Sequence, residues 1–160
     1  HYDPRTRVVR LSPGVYDGHS ISSIGVAAHE TGHALQHAGG YVPLQIRSAL
    51  VPVTRIGSWL AWPLLFFGFI LGAMSLVKIG IIVFAGAVLF QLITLPVEFD
   101  ASRRAVAILG QRSMLTPQEL PGVRKVLNAA AMTYVAAAAA SVLQLVYFLL
   151  RAGILGGSDD

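Results

Sequence analysis

The stretch "SWLAWPLLFFGFILGAMSLV", Ser58–Val77, is followed after the lone charge of Lys78 by "IGIIVFAGAVLFQLITLPV", Ile79–Val97. Neither run contains a charged residue. Each matches the roughly 20 apolar residues that a helix needs to cross a bilayer. A third run, "VLNAAAMTYVAAAAASVLQLVYFLL", covers Val126–Leu150. Helices buried in a soluble core would keep a polar face, and these runs have none. A single helix through the first two runs would be about 60 Å long, so a tight hairpin turning near Lys78 and Gly80 is the more economical reading. The whole chain agrees: of 160 residues, 54% are hydrophobic and only 12% charged. The sequence therefore predicts a mainly α membrane protein with about three transmembrane helices.

Lysine and arginine are divided unevenly about these spans. Arg5, Arg7, Arg10, Arg47, Arg55, Arg103, Arg104, Arg112, Arg124 and Lys125 fall on one side, and Lys78 and Arg151 on the other. The rule that positive charge stays inside puts the larger group in the cytoplasm. The short polar end "GGSDD" then lies outside. A net charge of +4 spread in this way is not a nucleic-acid footprint. The run Ala136–Ala140 offers a small-residue face for close helix packing.

Outward from the spans, the N-terminal part changes character. "HYDPRTR" is polar and does not read as a secretory leader. A turn is expected at Asp3-Pro4, a short strand at about Arg7–Leu11 and a break at Pro13-Gly14. A lone strand is unstable, so its partner is expected upstream of His1. The opening on His1 itself reads as a fragment or a processed form. From Ser20 the pattern turns helical, with Ser20 or Ser22 as the cap and Gly39-Gly40 as the stop.

This helix carries "HETGHALQH". His29 and His33 are four residues apart and so project from one face about a turn apart. Two imidazoles at that spacing can share one zinc ion, and Glu30 stands where a general base would reach the attacking water. The chain has no cysteine, so a metal must be held by His, Asp or Glu. His37 lies about 12 Å along the helix axis from His29, too far to share the ion. It reads as a packing, surface or supporting residue. A catalytic zinc takes three protein ligands. The third is sought in "TLPVEFDASRRA", Thr94–Ala105, where Glu98 is the first candidate and Asp100 its rival. Glu98 could instead pair with Arg103 or Arg104. Glu119, in "TPQELPG", looks like a turn and helix-start residue. A donor for the oxyanion could come from Tyr41, His37, Arg103 or Arg104.

These pieces carry a resemblance. "HYDPRTRVVRLS", "SIGVAAHETGHALQHAGGY", "RSALVPVTRIGS" and "LPVEFDASRRA" resemble the YugP-like neutral zinc metallopeptidases of bacterial membranes. More distantly the chain is similar to the HtpX and CAAX-prenyl-protease class of membrane gluzincins. There a glutamate in an E-x-x-x-D motif completes the HExxH site. The resemblance implies His29, His33 and Glu98 as ligands of one Zn²⁺ per chain, Glu30 as the base, and a peptide or protein as substrate. It also implies a membrane helix before the "HYDPR" motif and a strand along the active-site cleft, for which "RVVRLS" is the available segment. Ser102 stands where the distant class has its acid, so that supporting role passes to Asp100 or lapses.

The organisation expected is a cytoplasmic zincin-like α+β catalytic segment over 1–57 and a transmembrane hairpin over 58–97. A cytoplasmic segment with the third ligand follows over 98–125, then a transmembrane helix over 126–150 and a tail over 151–160. The function expected is a zinc metalloendopeptidase, multi-pass in the bacterial inner (plasma) membrane with its site on the cytoplasmic side. The alternative is a non-catalytic zinc-binding membrane scaffold. A channel or transporter would need ionisable groups inside the apolar runs, which hold only Gln91, Asn128 and Gln144.

Overall fold

The computed structural model of the chain describes residues 1–155. Two short strands, β1 (Tyr2–Asp3) and β2 (Val8–Val9), precede five helices. These are α1 (Pro13–Tyr16), α2 (Ile21–Ala38), α3 (Val42–Ile70), α4 (Met74–Gln111) and α5 (Leu120–Arg151). The last three are long and apolar enough to cross a membrane, and most of each apolar stretch is uncovered by protein. Trp59, Phe66 and Phe67 on α3 and Leu143 and Tyr147 on α5 are among the large exposed apolar side chains. Such faces suit lipid and not water. The segment Gly156–Asp160, including the tail expected outside, lies beyond the described residues.

Three expectations need correction. The hairpin turn falls at residues 71–73, and Lys78 lies within α4. Gly72 adopts a φ of +63° there and the Ala73 N–H returns to the Gly68 carbonyl, a left-handed helix stop that a residue without Cβ favours. The predicted strand, expected to need a partner upstream of His1, finds one within the chain. Tyr2 and Asp3 pair antiparallel with Val9 and Val8 across a turn held by Asp3. Two strands of two residues do not make the sheet layer of an α+β zincin segment, so the N-terminal part is a helix with a small hairpin against it.

The chain divides into two compact units. One comprises His1–Ser48 and Ile93–Tyr134, the other Ala49–Leu92 and the chain from Val135. In the second unit, Ala61, Leu65, Val77, Ile81, Phe84, Val88 and Phe148 form the core. A Cβ on Gly80 would press into Leu65 and one on Gly68 into Val77, so the absence of side chains there lets α3 and α4 approach closely.

The first unit carries the histidine helix. Ser20 caps α2 by accepting from the Ser23 N–H at 3.0 Å, and Gly39-Gly40 ends it, with Gly40 at φ +64°. Ala28 of α2 is buried with Ala105 and Leu109 of α4 and with Val123 and Leu127 of α5. In the turn that leads into α5, Glu119 Oε2 accepts from the Thr116 N–H and hydroxyl, each at 2.8 Å. That assigns Glu119 the helix-start role its loop implied. Gly32 decides how closely α2 and α4 meet. A Cβ there would fall inside contact distance of the Ala101 carbonyl, so only glycine fits.

Candidate metal centre

The contact at Gly32 sets one face of α2 against one face of α4. His29 and His33 lie on either side of Gly32 in the first, and Glu98 and Ser102 on either side of Ala101 in the second. Both pairs have four-residue spacing, so each presents its members one above the other. The two faces meet. His29 Nε2 is 3.1 Å and His33 Nε2 3.7 Å from the same Glu98 oxygen, Oε2. The three donor atoms lie within 4.8 Å of one another, and among the described residues these three form the one such group. Tetrahedral donors at about 2.1 Å from a zinc ion stand roughly 3.4 Å apart; the two His–Glu98 separations lie on either side of that value, and a donor pair as far apart as 4.8 Å would have to draw together around an ion. Glu98 is 2% exposed and His33 7%. A carboxylate and two imidazoles packed together away from water are costly unless something shares their charge.

The far atom of each member is already engaged. His29 Nδ1 shares a 3.2 Å hydrogen bond with Ser102 Oγ. His33 Nδ1 donates to Gln36 Oε1 at 3.0 Å. Glu98 Oε1 is 3.0 Å from Arg47 Nη1 on α3. Each Nε2 and one carboxylate oxygen are thereby left directed at the common point, the arrangement by which neighbouring groups orient metal ligands. Gln36 is fully buried and extends the chain of contacts. Its amide NH₂ donates to the Val97 carbonyl at 2.8 Å and to Asp100 Oδ2 at 2.9 Å. Asp100 in turn accepts from Arg103 at 3.0 Å and Arg104 at 2.6 Å.

The other sequence candidates are distributed as follows. Glu30 Oε2 accepts the Tyr2 backbone N–H at 2.7 Å, so β1 is the strand that touches the prospective base. His37 is outside the cluster; its Nδ1 meets the Tyr2 hydroxyl at 2.6 Å. Asp100 is not in the cluster and supports it through Gln36. Arg103 and Arg104 pair with Asp100 and not with Glu98. Tyr41 lies under the Arg104 guanidinium, 5.6 Å from ring centre to carbon. Sequence reasoning missed Gln36, Arg47 and Tyr2. Gln36 had a signal, for it sits three residues after His33 and seven after His29 on the same helical face. Arg47 and Tyr2 had none, since each reaches the site through tertiary packing.

A histidine pair on one helix, closed by a glutamate from a second, is the donor set of a candidate zinc centre, in a chain whose three long helices are apolar enough to cross a membrane. The chain belongs to the family described as "Putative neutral zinc metallopeptidase", whose sequence pattern matches residues 1–153. It is also 52% identical over 161 residues to the "Putative membrane protease YugP" of Bacillus subtilis (strain 168), covering 100% of this chain and 70% of that protein. No solved structure matches.

Proposed function

We propose that the chain is a membrane-embedded zinc endopeptidase with one zinc ion per chain, held by His29, His33 and Glu98. The observation that carries this reading is the convergence of three donor atoms whose remaining polar atoms are each tied to a separate protein partner. When bound, the ion would acidify an attacking water toward a pKa of roughly 7 and polarise the scissile carbonyl. Glu30 is the group beside it that can take the proton of that water and return it to the amine nitrogen as the peptide C–N bond breaks. The Tyr2 amide holds Oε2 of that carboxylate at 2.7 Å, and the His1 amino nitrogen lies 3.8 Å from Oε1, the oxygen that would take the proton. The substrate is a peptide or protein segment, and β1 beside Glu30 offers a backbone edge against which an extended chain could lie.

The division of ten cationic side chains against two supports a multi-pass protein of the inner (plasma) membrane with this site facing the cytoplasm. The helices allow it: α4, with 38 residues, is about 57 Å long. That exceeds the roughly 30 Å hydrocarbon core by enough to carry Glu98 and Ser102 beyond the lipid.

A second reading, a non-catalytic zinc scaffold, draws on one observation. Glu30 already has a structural task, accepting the Tyr2 amide. The test is zinc content and peptide hydrolysis of the full-length protein beside Glu98→Ala and Glu30→Gln. A peptidase holds about one zinc per chain, loses it in Glu98→Ala, and in Glu30→Gln keeps zinc while losing most activity. Equal hydrolysis by wild type and Glu30→Gln would sink the mechanism. Zinc without hydrolysis in the wild type would favour the scaffold.

A further inference from the structure

Behind His29 the first unit contains a cleft of about 260 Å³ between α4 and α5. Its base is apolar, formed by Leu127 and Phe99, and its polar rim is Ser102, Arg103, Arg124 and Asn128. The volume is just below the range of pockets for whole small-molecule ligands, and suits one residue of a longer chain.

The charge at the rim is unbalanced. Asp100 is shared by Arg103 and Arg104, so one carboxylate offsets two guanidiniums and leaves an excess of one positive charge. Arg124 makes no ion pair or hydrogen bond described among residues 1–155 and adds a second. Arg103 gives one of its five N–H donors to Asp100 and keeps the rest. Asn128 and Ser102 contribute neutral polar groups. Two guanidiniums over an apolar base favour a carboxylate, because hydrogen bonds between charged partners are stronger than neutral ones and a guanidinium can hold a carboxylate through two N–H groups at once.

The cleft is joined to the metal centre through Ser102, whose hydroxyl bonds His29 Nδ1 while lining the cleft. An extended chain advances about 3.3–3.6 Å per residue, and Ser102 Oγ lies 3.2 Å beyond the far nitrogen of His29, so a peptide with its scissile bond at the centre could bring a residue a few positions away to this rim. We propose that the cleft is a specificity subsite that receives a carboxylate of the peptide substrate, either an Asp or Glu side chain or a free C-terminus. This rests on the peptidase reading.

The test uses full-length protein in nanodiscs and fluorescein-labelled random decapeptide pools. One position at a time is fixed as Glu or Gln, and each pool is made with a free or an amidated C-terminus. Binding is measured by anisotropy on the Glu30→Gln protein and turnover on the wild type. The expected result is about tenfold tighter binding for Glu over Gln at one position, or for the free over the amidated terminus, with the preference abolished by Arg124→Glu. The first pattern assigns a side-chain carboxylate and the second a terminal one. Equal binding within both pairs, or a preference that survives Arg124→Glu, would overturn the subsite. So would a preference seen only in zwitterionic nanodiscs and suppressed by anionic lipid, which would assign the rim to lipid phosphate. Preferential binding with no wild-type turnover would leave the subsite standing and remove the peptidase reading; turnover without preference would do the reverse.

Discussion

The third histidine of "HETGHALQH" shows how one side chain can serve a centre it does not join. His37 Nδ1 meets the Tyr2 hydroxyl at 2.6 Å, and the amide of the same tyrosine bonds Glu30 at 2.7 Å. Tyr2 therefore ties the hairpin to α2 at two points, and His37 sets where the amide on Glu30 lies. Tyr2→Phe removes the hydroxyl and spares the amide. It should keep zinc at the wild-type level and lower kcat more than it raises KM, by an order of magnitude or less; an unchanged kcat would refute the linkage. Ser102 stands where the distant class has an acid, yet it takes the hydrogen bond to His29 itself, while Asp100 reaches His33 through Gln36. Loss of such supporting contacts weakens metal affinity about 10–100-fold. Ser102→Ala should fall in that range when zinc is titrated against a competing chelator, and unaltered affinity would make the contact incidental. The HExxH triplet was legible because its chemistry is local, a spacing of four on a capped helix. Gln36 was legible only from its place on the histidine face of α2, and Ser102 was not, because nothing in its own neighbourhood says which histidine it will face.

At the scale of elements, the site depends on how closely two helices approach. Gly32 lies between the two histidines, and a methyl group there would meet the Ala101 backbone, which cannot move aside without shifting α4. Gly32→Ala should destabilise the fold by about 1–3 kcal/mol, the usual cost of overpacking. It should also reduce zinc binding, because any separation of the helices draws His29 and His33 away from Glu98. A thermal midpoint and zinc content equal to wild type would show that the contact is loose. The hairpin has its own dependence on pH. The Arg10 guanidinium, with help from Thr6 and the Arg5 amide, holds the Asp3 carboxyl well below the usual carboxylate range. A group whose folded value is depressed stabilises the fold above its unfolded value and loses that contribution as pH falls toward the folded one. Hairpin protection, followed by proteolysis within residues 1–11, should thus be constant from neutral pH to about 4 and decline only in stronger acid. In Asp3→Asn the acid-dependent decline should be absent, and an identical decline would exclude Asp3 as its source. The pair faces solvent, so its contribution is small. The strand at Val8–Val9 was legible from β-branched residues, but its partner was not. Tyr2–Asp3 has too little length to show alternation, and the pairing depends on Asp3 reaching across the turn.

For the whole molecule, the apolar runs foretold the number of long helices but not where they end. Hydropathy registers what lipid tolerates, whereas α3 begins at Val42 and α4 continues to Gln111 because polar residues near helix ends can be helical too. Charge, not hydropathy, is the basis of the proposed orientation, with ten cations on one side against two on the other. The consequence can be tested directly, because the chain has no cysteine to interfere with labelling. Leu71, in the turn between α3 and α4, and Met114, between α4 and α5, are both well exposed, and α4 lies between them in the chain, so a crossing by that helix would put them on opposite faces of the membrane. In spheroplasts, a membrane-impermeant maleimide should label Leu71→Cys directly and Met114→Cys only after lysis. The reverse pattern would put the metal-centre helices outside the cytoplasm, where the peptides available to the site are of a different origin. Equal labelling of both before lysis would mean that α4 does not cross, and its uncovered apolar face would then need a protein partner in place of lipid.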